Sequence, residues 1–304
     1  MKRFRVLLPV VVGSALSCYG ATLVNDTWQD GSRTDPASPV YSEYGVDADA
    51  DGDLESAWYH GGGGTLEVAG GNLVGTVPET SSSSWTTYFA PPGGLTLSNP
   101  GDSLRLTWVF TPTGVDDTGN TSQSFRLAIV DTPDDARLTA DGSPGSTTYT
   151  GYAMFMNMAT TLGRSTPFSL MERGQLGSVD LLSSSGNWTS LIDDGNTGDT
   201  GYADGVQYTY FFEATRTEEG HLQLVSRMSG GDLGNDGTLE VVFVDETPNT
   251  FTFDTFALRP SRADQTADVF STHLFKVEFI PEPSSFALAG LGLLGVLFAR
   301  RLRR

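Results

Sequence analysis

The string Asp-Ala-Asp-Ala-Asp-Gly-Asp-Leu-Glu at residues 47–55 is the part of this 304-residue chain whose residue types and spacing best fit a chemical task. Asp47, Asp49, Asp51 and Asp53 alternate, and Gly52 admits the sharp turn that lets their oxygens converge. Calcium takes about six to eight hard oxygen ligands, and a D-x-D-x-D-G run lets one short loop supply several. Counted from Asp47, Gly52 falls at the sixth place, but the twelfth is Trp58 rather than a bidentate glutamate. The loop is therefore not an EF-hand, and Glu55 substitutes in a looser arrangement. The expected calcium ligands are Asp47, Asp49, Asp51, Asp53 and Glu55; a solvated acidic loop is the competing reading. Asp193-Asp194-Gly195-Asn196 and residues 232–237 are sparser versions of the same pattern.

A second chemistry is sugar stacking, because aromatic rings suit the apolar faces of pyranoses. Trp58, Tyr59, Trp85, Trp188 and Tyr202 lie near loops and qualify by position, although each also fits the core or rim of a β-sandwich. Catalytic constellations are mostly missing. His60, His221 and His273 are far apart in sequence, without zinc spacing, and there is no G-x-S-x-G elbow. The nearest approach to a paired-carboxylate strand motif, EVVFVDE at 240–246, lacks the spacing for retaining glycoside chemistry. A non-enzymatic protein is expected.

Charge narrows the partners. With the three basic residues near the N-terminus and the four terminal arginines set aside, the rest of the chain carries a net charge near −26 and one lysine, Lys276. Such a surface repels phosphates and anionic headgroups, so nucleic acid is not an expected partner. Solubility alone, or cation binding, accounts for it.

The elements that must position these residues are strands. No helical period occurs between residues 21 and 280, and short alternating runs separated by Gly, Asp and Asn dominate. In SLRLTWVFT (103–111), Leu104, Leu106, Trp108 and Phe110 share one face, and Arg105 and Thr107 the other. YTYFFEATRT, then Glu218-Glu219-Gly220, then HLQLVSRM reads as a β-hairpin. A dozen such runs predict one all-β domain, 21–280, of two packed antiparallel sheets. The segments Asn25-Asp26-Thr27-Trp28, DLESAWY, FTFDTFALRP and THLFKVEF resemble concanavalin A-like jelly rolls of secreted bacterial proteins. That resemblance implies a jelly-roll sandwich whose first and last strands pair.

Both ends carry addresses. Lys2, Arg3 and Arg5 precede an apolar stretch, and small residues lead to an expected cut after Gly20, a signal-peptide pattern predicting an N-terminal signal helix over 1–20. The only cysteine, Cys18, would be discarded with it. At the other end, Pro281-Glu282-Pro283 precedes a 14-residue apolar run, 286–299, containing Phe286, Leu288, Leu291, Leu293, Leu294, Val296, Leu297 and Phe298. Arg300, Arg301, Arg303 and Arg304 follow and are expected to stay cytoplasmic. A helix of that length spans about 21 Å, short of a hydrocarbon core of about 30 Å, so a transient handle is preferred over an ordinary tail anchor. Motif, apolar run and arginine cluster in this order resemble the PEP-CTERM sorting signal of Gram-negative bacteria. The resemblance covers 281–304 and implies processing by an exosortase at the inner membrane, then delivery to the cell surface or the exopolysaccharide matrix. The cargo is read as a non-catalytic sandwich, with two alternatives: a lectin-like, calcium-assisted module binding polysaccharide, or, less favoured, a glycan-cleaving enzyme.

Overall fold

The alternation in SLRLTWVFT produces the strand expected of it, with Leu104, Leu106, Trp108 and Phe110 fully buried and Arg105, Thr107 and Val109 partly exposed on the opposite face. In the computed structural model, residues 20–145, 148–174 and 180–282 are described. The expected signal helix and C-terminal hydrophobic helix, with Pro283 and the terminal arginines, lie outside the described residues. Helix among the described residues is limited to three 3₁₀ turns, and none is long and apolar enough to cross a membrane.

The first strands are β1 (Ala21–Asp26), β2 (Trp58–Gly62), β3 (Thr65–Ala69), β4 (Asn72–Thr76), β5 (Ser83–Tyr88), β6 (Leu95–Thr96), β7 (Ser103–Thr113) and β8 (Phe125–Asp131). They are followed by β9 (Thr150–Met156), β10 (Phe168–Arg173), β11 (Thr189–Asp194), β12 (Tyr208–Arg216), β13 (Leu222–Ser229), β14 (Thr238–Asp245), β15 (Thr252–Phe253), β16 (Thr255–Pro260) and β17 (Val269–Ile280). One antiparallel sheet runs β14-β13-β12-β7-β17-β4-β3, with β1 also paired to β17; a second runs β11-β10-β9-β8-β16-β5-β2. The fold is the expected two-sheet sandwich. The first and last strands pair, with Ala21 opposite Phe279 and Asp26 opposite Phe275. The predicted hairpin is β12–β13, and Gly220 supplies the left-handed backbone of its turn at φ +80°.

The inner faces meet in an aromatic core. Phe256 of one sheet stacks on Phe275 of the other at 5.1 Å between centroids, and Phe125 on Phe270 at 5.3 Å. The outer face of the seven-stranded sheet is also covered. Ala128, Val130, Ala153, Phe155 and Ala257 form a second apolar cluster with Tyr149, Leu181, Leu182 and Trp188, which come from the loops crossing that face. Tyr41, Ala57, Tyr59 and Tyr88 form a third. Burial on both sides is why FRLAIVD and TGYAMFM read as nearly continuous apolar runs rather than alternating ones.

Candidate cation site in the acidic loop

Residues 26–55 hold nine carboxylates and a single basic residue, Arg33. Arg33 is committed elsewhere, to a salt bridge with Asp141 at 2.7 Å. The connection from β1 to β2 folds by spending one carboxylate oxygen at a time on backbone N–H groups. Asp47 Oδ1 accepts from Ala50 at 2.6 Å, Asp49 Oδ1 from Asp51 at 3.3 Å, and Asp51 Oδ1 from Asp53 at 3.2 Å. Gly52, at φ +107°, makes the reversal between them. Glu43 accepts from the N–H groups of Ala48 and Glu55, which fastens both ends of the loop to one side chain. Asp53 Oδ2 takes the N–H and the hydroxyl of Thr27, each at 2.8 Å, anchoring the loop to the end of β1.

The remaining oxygens are the chemistry. Asp51 Oδ2, Asp53 Oδ1 and Glu55 Oε1 are buried without a hydrogen-bond partner, and Glu55 is only 3% exposed. An unpaired buried carboxylate oxygen costs the full desolvation of that group. Carboxylate oxygens of Asp30, Asp51 and Glu55 lie within 4.8 Å of one another; so do those of Asp35, Asp49 and Glu55, and those of Glu43, Asp47 and Asp49. Burial first, then the charges of Asp30, Asp51, Asp26 and Asp49, pushes the Glu55 carboxyl up to about 9. Burial likewise holds the Asp26 carboxyl well above its ordinary value. Oxygen-only donors in an irregular loop suit a hard divalent cation.

Of the sequence-predicted ligands, Asp47, Asp49, Asp51 and Glu55 come into these groups. Asp53 does not join them; its Oδ2 is used on Thr27. Sequence spacing missed Asp30, Asp35 and Glu43, which only the path of the loop brings in; the excess of acids over bases from 26 to 55 was the available signal. Asp194 spends an oxygen on the Glu240 N–H, and in the 232–237 turn Asp236 spends one on the Thr238 N–H.

The sugar-stacking expectation is corrected. Trp58, Tyr59, Trp85, Trp188 and Tyr202 are all buried, at 7% exposure or less. Trp58 stands edge-on to Phe256 and Phe275 between the sheets, and Trp85 edge-on to Phe270. Trp188 packs on Phe155 and donates its indole N–H to the Leu181 carbonyl at 3.0 Å. With both faces of the seven-stranded sheet covered, these loop-adjacent aromatics fill core instead of forming a platform. The three histidines lie in separate places: His60 on the Gly63 carbonyl, His273 between Thr111 and Asn72, and His221 at the β12–β13 turn.

Several solved structures are similar to this chain. They include the Emp46p carbohydrate recognition domain in metal-free form, at 14% identity over 72% of this chain and 87% of that one, TM-score 0.43. The metal-free VIP36 exoplasmic/lumenal domain matches at 15% identity over 74% and 85%, TM-score 0.46. Arcelin-5, a lectin-like defense protein from Phaseolus vulgaris, matches at 10% over 73% and 92%, TM-score 0.42. No curated protein matches the sequence. At the C-terminus, β17 runs into Pro281 and Glu282, and the Glu282 N–H donates to the buried Asp102 Oδ1 at 3.0 Å. From Phe279 inside that last strand to Arg304, the chain matches the family model for the PEP-CTERM protein-sorting motif.

Proposed function

We propose that this is an exported protein, delivered by an exosortase-type enzyme to the cell surface or the exopolysaccharide matrix of a Gram-negative bacterium, whose β-sandwich is non-catalytic and binds calcium. The match of residues 279–304 to the PEP-CTERM motif carries the sorting half. Residues 1–20 act as the signal peptide, 21–280 as the cargo, and 281–304 as the handle, with the membrane engaged transiently through 286–299. The mass of the mature protein from its native host tests this, and a C-terminus still reaching Arg304 sinks the processing step.

The cation half rests on Glu55, a buried carboxylate with one unpartnered oxygen, which shares one group of close carboxylates with Asp30 and Asp51 and another with Asp35 and Asp49. Calorimetric titration of chelator-stripped protein with calcium chloride tests it, and the absence of saturable heat overturns it. A lectin-like role is the second reading. One observation favours it: an open cleft of about 450 Å³ whose lining includes Gln123, Arg164, Thr166, Ser169 and Asp193, groups suited to sugar hydroxyls. Binding on a glycan array, with and without chelator, tests it; silence on every glycan removes it.

A further inference from the structure

We propose that the acidic loop holds two adjacent divalent cations that share Glu55, one bound by Asp30, Asp51 and Glu55 and the other by Asp35, Asp49 and Glu55. The proposal rests on the calcium reading above and extends it by a second site and by two ligands, Asp30 and Asp35, outside the alternating run.

Two observations carry it. First, Glu55 is common to two oxygen groups, each within 4.8 Å, whose other four members are four different aspartates, while Asp49 links the second of them to the Glu43 group. A carboxylate has two oxygens, so one side chain can face two ions, and none of the side-chain hydrogen bonds in the loop ends on Glu55. Its N–H, by contrast, donates to Glu43 at 3.2 Å. Second, Glu55 is buried to 3% exposure with Oε1 unpartnered, beside the carboxylates of Asp30, Asp35, Asp49 and Asp51. A buried carboxylate surrounded by carboxylates is expensive unless a cation lies between them.

Charge then decides between one ion and two. One divalent ion among five carboxylates leaves most of the negative charge uncompensated in a half-buried loop, whereas two bring it close to balance. The two places differ in character. Asp30, Asp51 and Glu55 run from exposed to buried, so the first ion sits partly under the loop. Asp35 and Asp49 are exposed, so the second lies at the surface with water completing its shell. The third group, Glu43 with Asp47 and Asp49, is not given an ion. Both Glu43 oxygens and one of Asp47 are already used on the backbone N–H groups that shape the loop.

The test is ion stoichiometry on the full-length chain, stripped with chelator and titrated with calcium chloride at physiological potassium, by calorimetry and by native mass spectrometry. Two calcium ions per chain are expected. Asp35→Asn with Asp49→Asn, both at exposed positions that keep the fold, should reduce the count to one, and Glu55→Gln should weaken both sites by about tenfold or more. A wild-type count of one, or a count of two that the Asp35/Asp49 variant leaves unchanged, overturns the shared pair while leaving a single calcium site standing. A count of zero overturns both.

Discussion

Arg137 and Asp254 meet at 2.6 Å with both side chains only 1% exposed, at the place where the loop after β8 folds over the outer face of the seven-stranded sheet. The guanidinium also donates to the carbonyls of Ala90 and Pro91 and lies against the rings of Tyr41 and Tyr88. Asp254 accepts in addition from the Thr132 N–H and the Thr255 hydroxyl. The pair thus ties the covering loop, the β5 end and β16 to one another.

Removing the arginine leaves a charge with no route to water. Arg137→Met is expected to cost about 3–5 kcal/mol, as breaking one side of a buried pair does. Arg137→Met with Asp254→Asn should cost clearly less than the single change. Urea unfolding of the three proteins decides it; a single variant as stable as the parent would show that the loop is not held by this pair.

A half-buried acid gives a pH dependence. Burial raises the Glu172 carboxyl above its ordinary value, helped by Asp245 and opposed by the N–H groups of Asn249. Tyr152 donates its hydroxyl to Asp245 at 2.7 Å, which leaves that carboxylate as the acceptor beside Glu172. Because the folded form holds the proton more tightly than the unfolded chain, this group's stabilising effect is full below the ordinary glutamate range and is lost as pH rises through the raised value. Thermal melts should therefore show falling stability from weakly acid pH upward, and Glu172→Gln should flatten that slope. An unchanged slope in the variant removes the assignment.

Close packing sets a third expectation. Gly75 in β4 faces Trp85, and a Cβ at that position would land inside the indole. Gly75→Ala should cost about 1–3 kcal/mol by overpacking, with part of it recovered by Trp85→Phe. Denaturant midpoints read this directly, and a neutral Gly75→Ala would mean that the two sheets slide freely here.

Cation loading should be visible as stability. At calcium a hundredfold above its dissociation constant, each occupied site adds about 2.7 kcal/mol, and chelator should remove what was added. Proteolysis at 47–55 should speed up in parallel. Asp51→Asn, which touches one of the two sites, should shrink the difference between loaded and stripped protein, and Glu55→Gln, which touches both, should remove most of it; a Glu55→Gln protein that gains as much from calcium as the parent places the ions elsewhere.

Much of the scaffold was legible because one sheet obeys the simple rule. Leu104, Leu106, Trp108 and Phe110 alternate with residues that meet solvent, and the period of two is therefore printed in the sequence. The other sheet is covered twice, so Phe155 and Met156 in β9 are both buried although they point to opposite faces, and position near a loop no longer marks an aromatic as exposed. Trp188 and Tyr59 were misplaced for that reason. The acidic loop was half legible. Asp47, Asp49, Asp51 and Glu55 lie in one short run, but Asp30 and Asp35 reach them only because the bridge between Asn25 and Leu54 folds the connection back on itself.

The position of β17 in mid-sheet has a consequence in time. It pairs with β7 along its whole length and with β1 and β4 along its other side, so the eight-stranded sheet stays open until residues 269–280 are present. A chain emerging N-terminus first cannot close its core before the segment immediately ahead of Pro281 has appeared. On the proposed export route, the cargo then becomes folded only while its tail is still held at the membrane, which makes the sorting handle a tether during folding as well as an address.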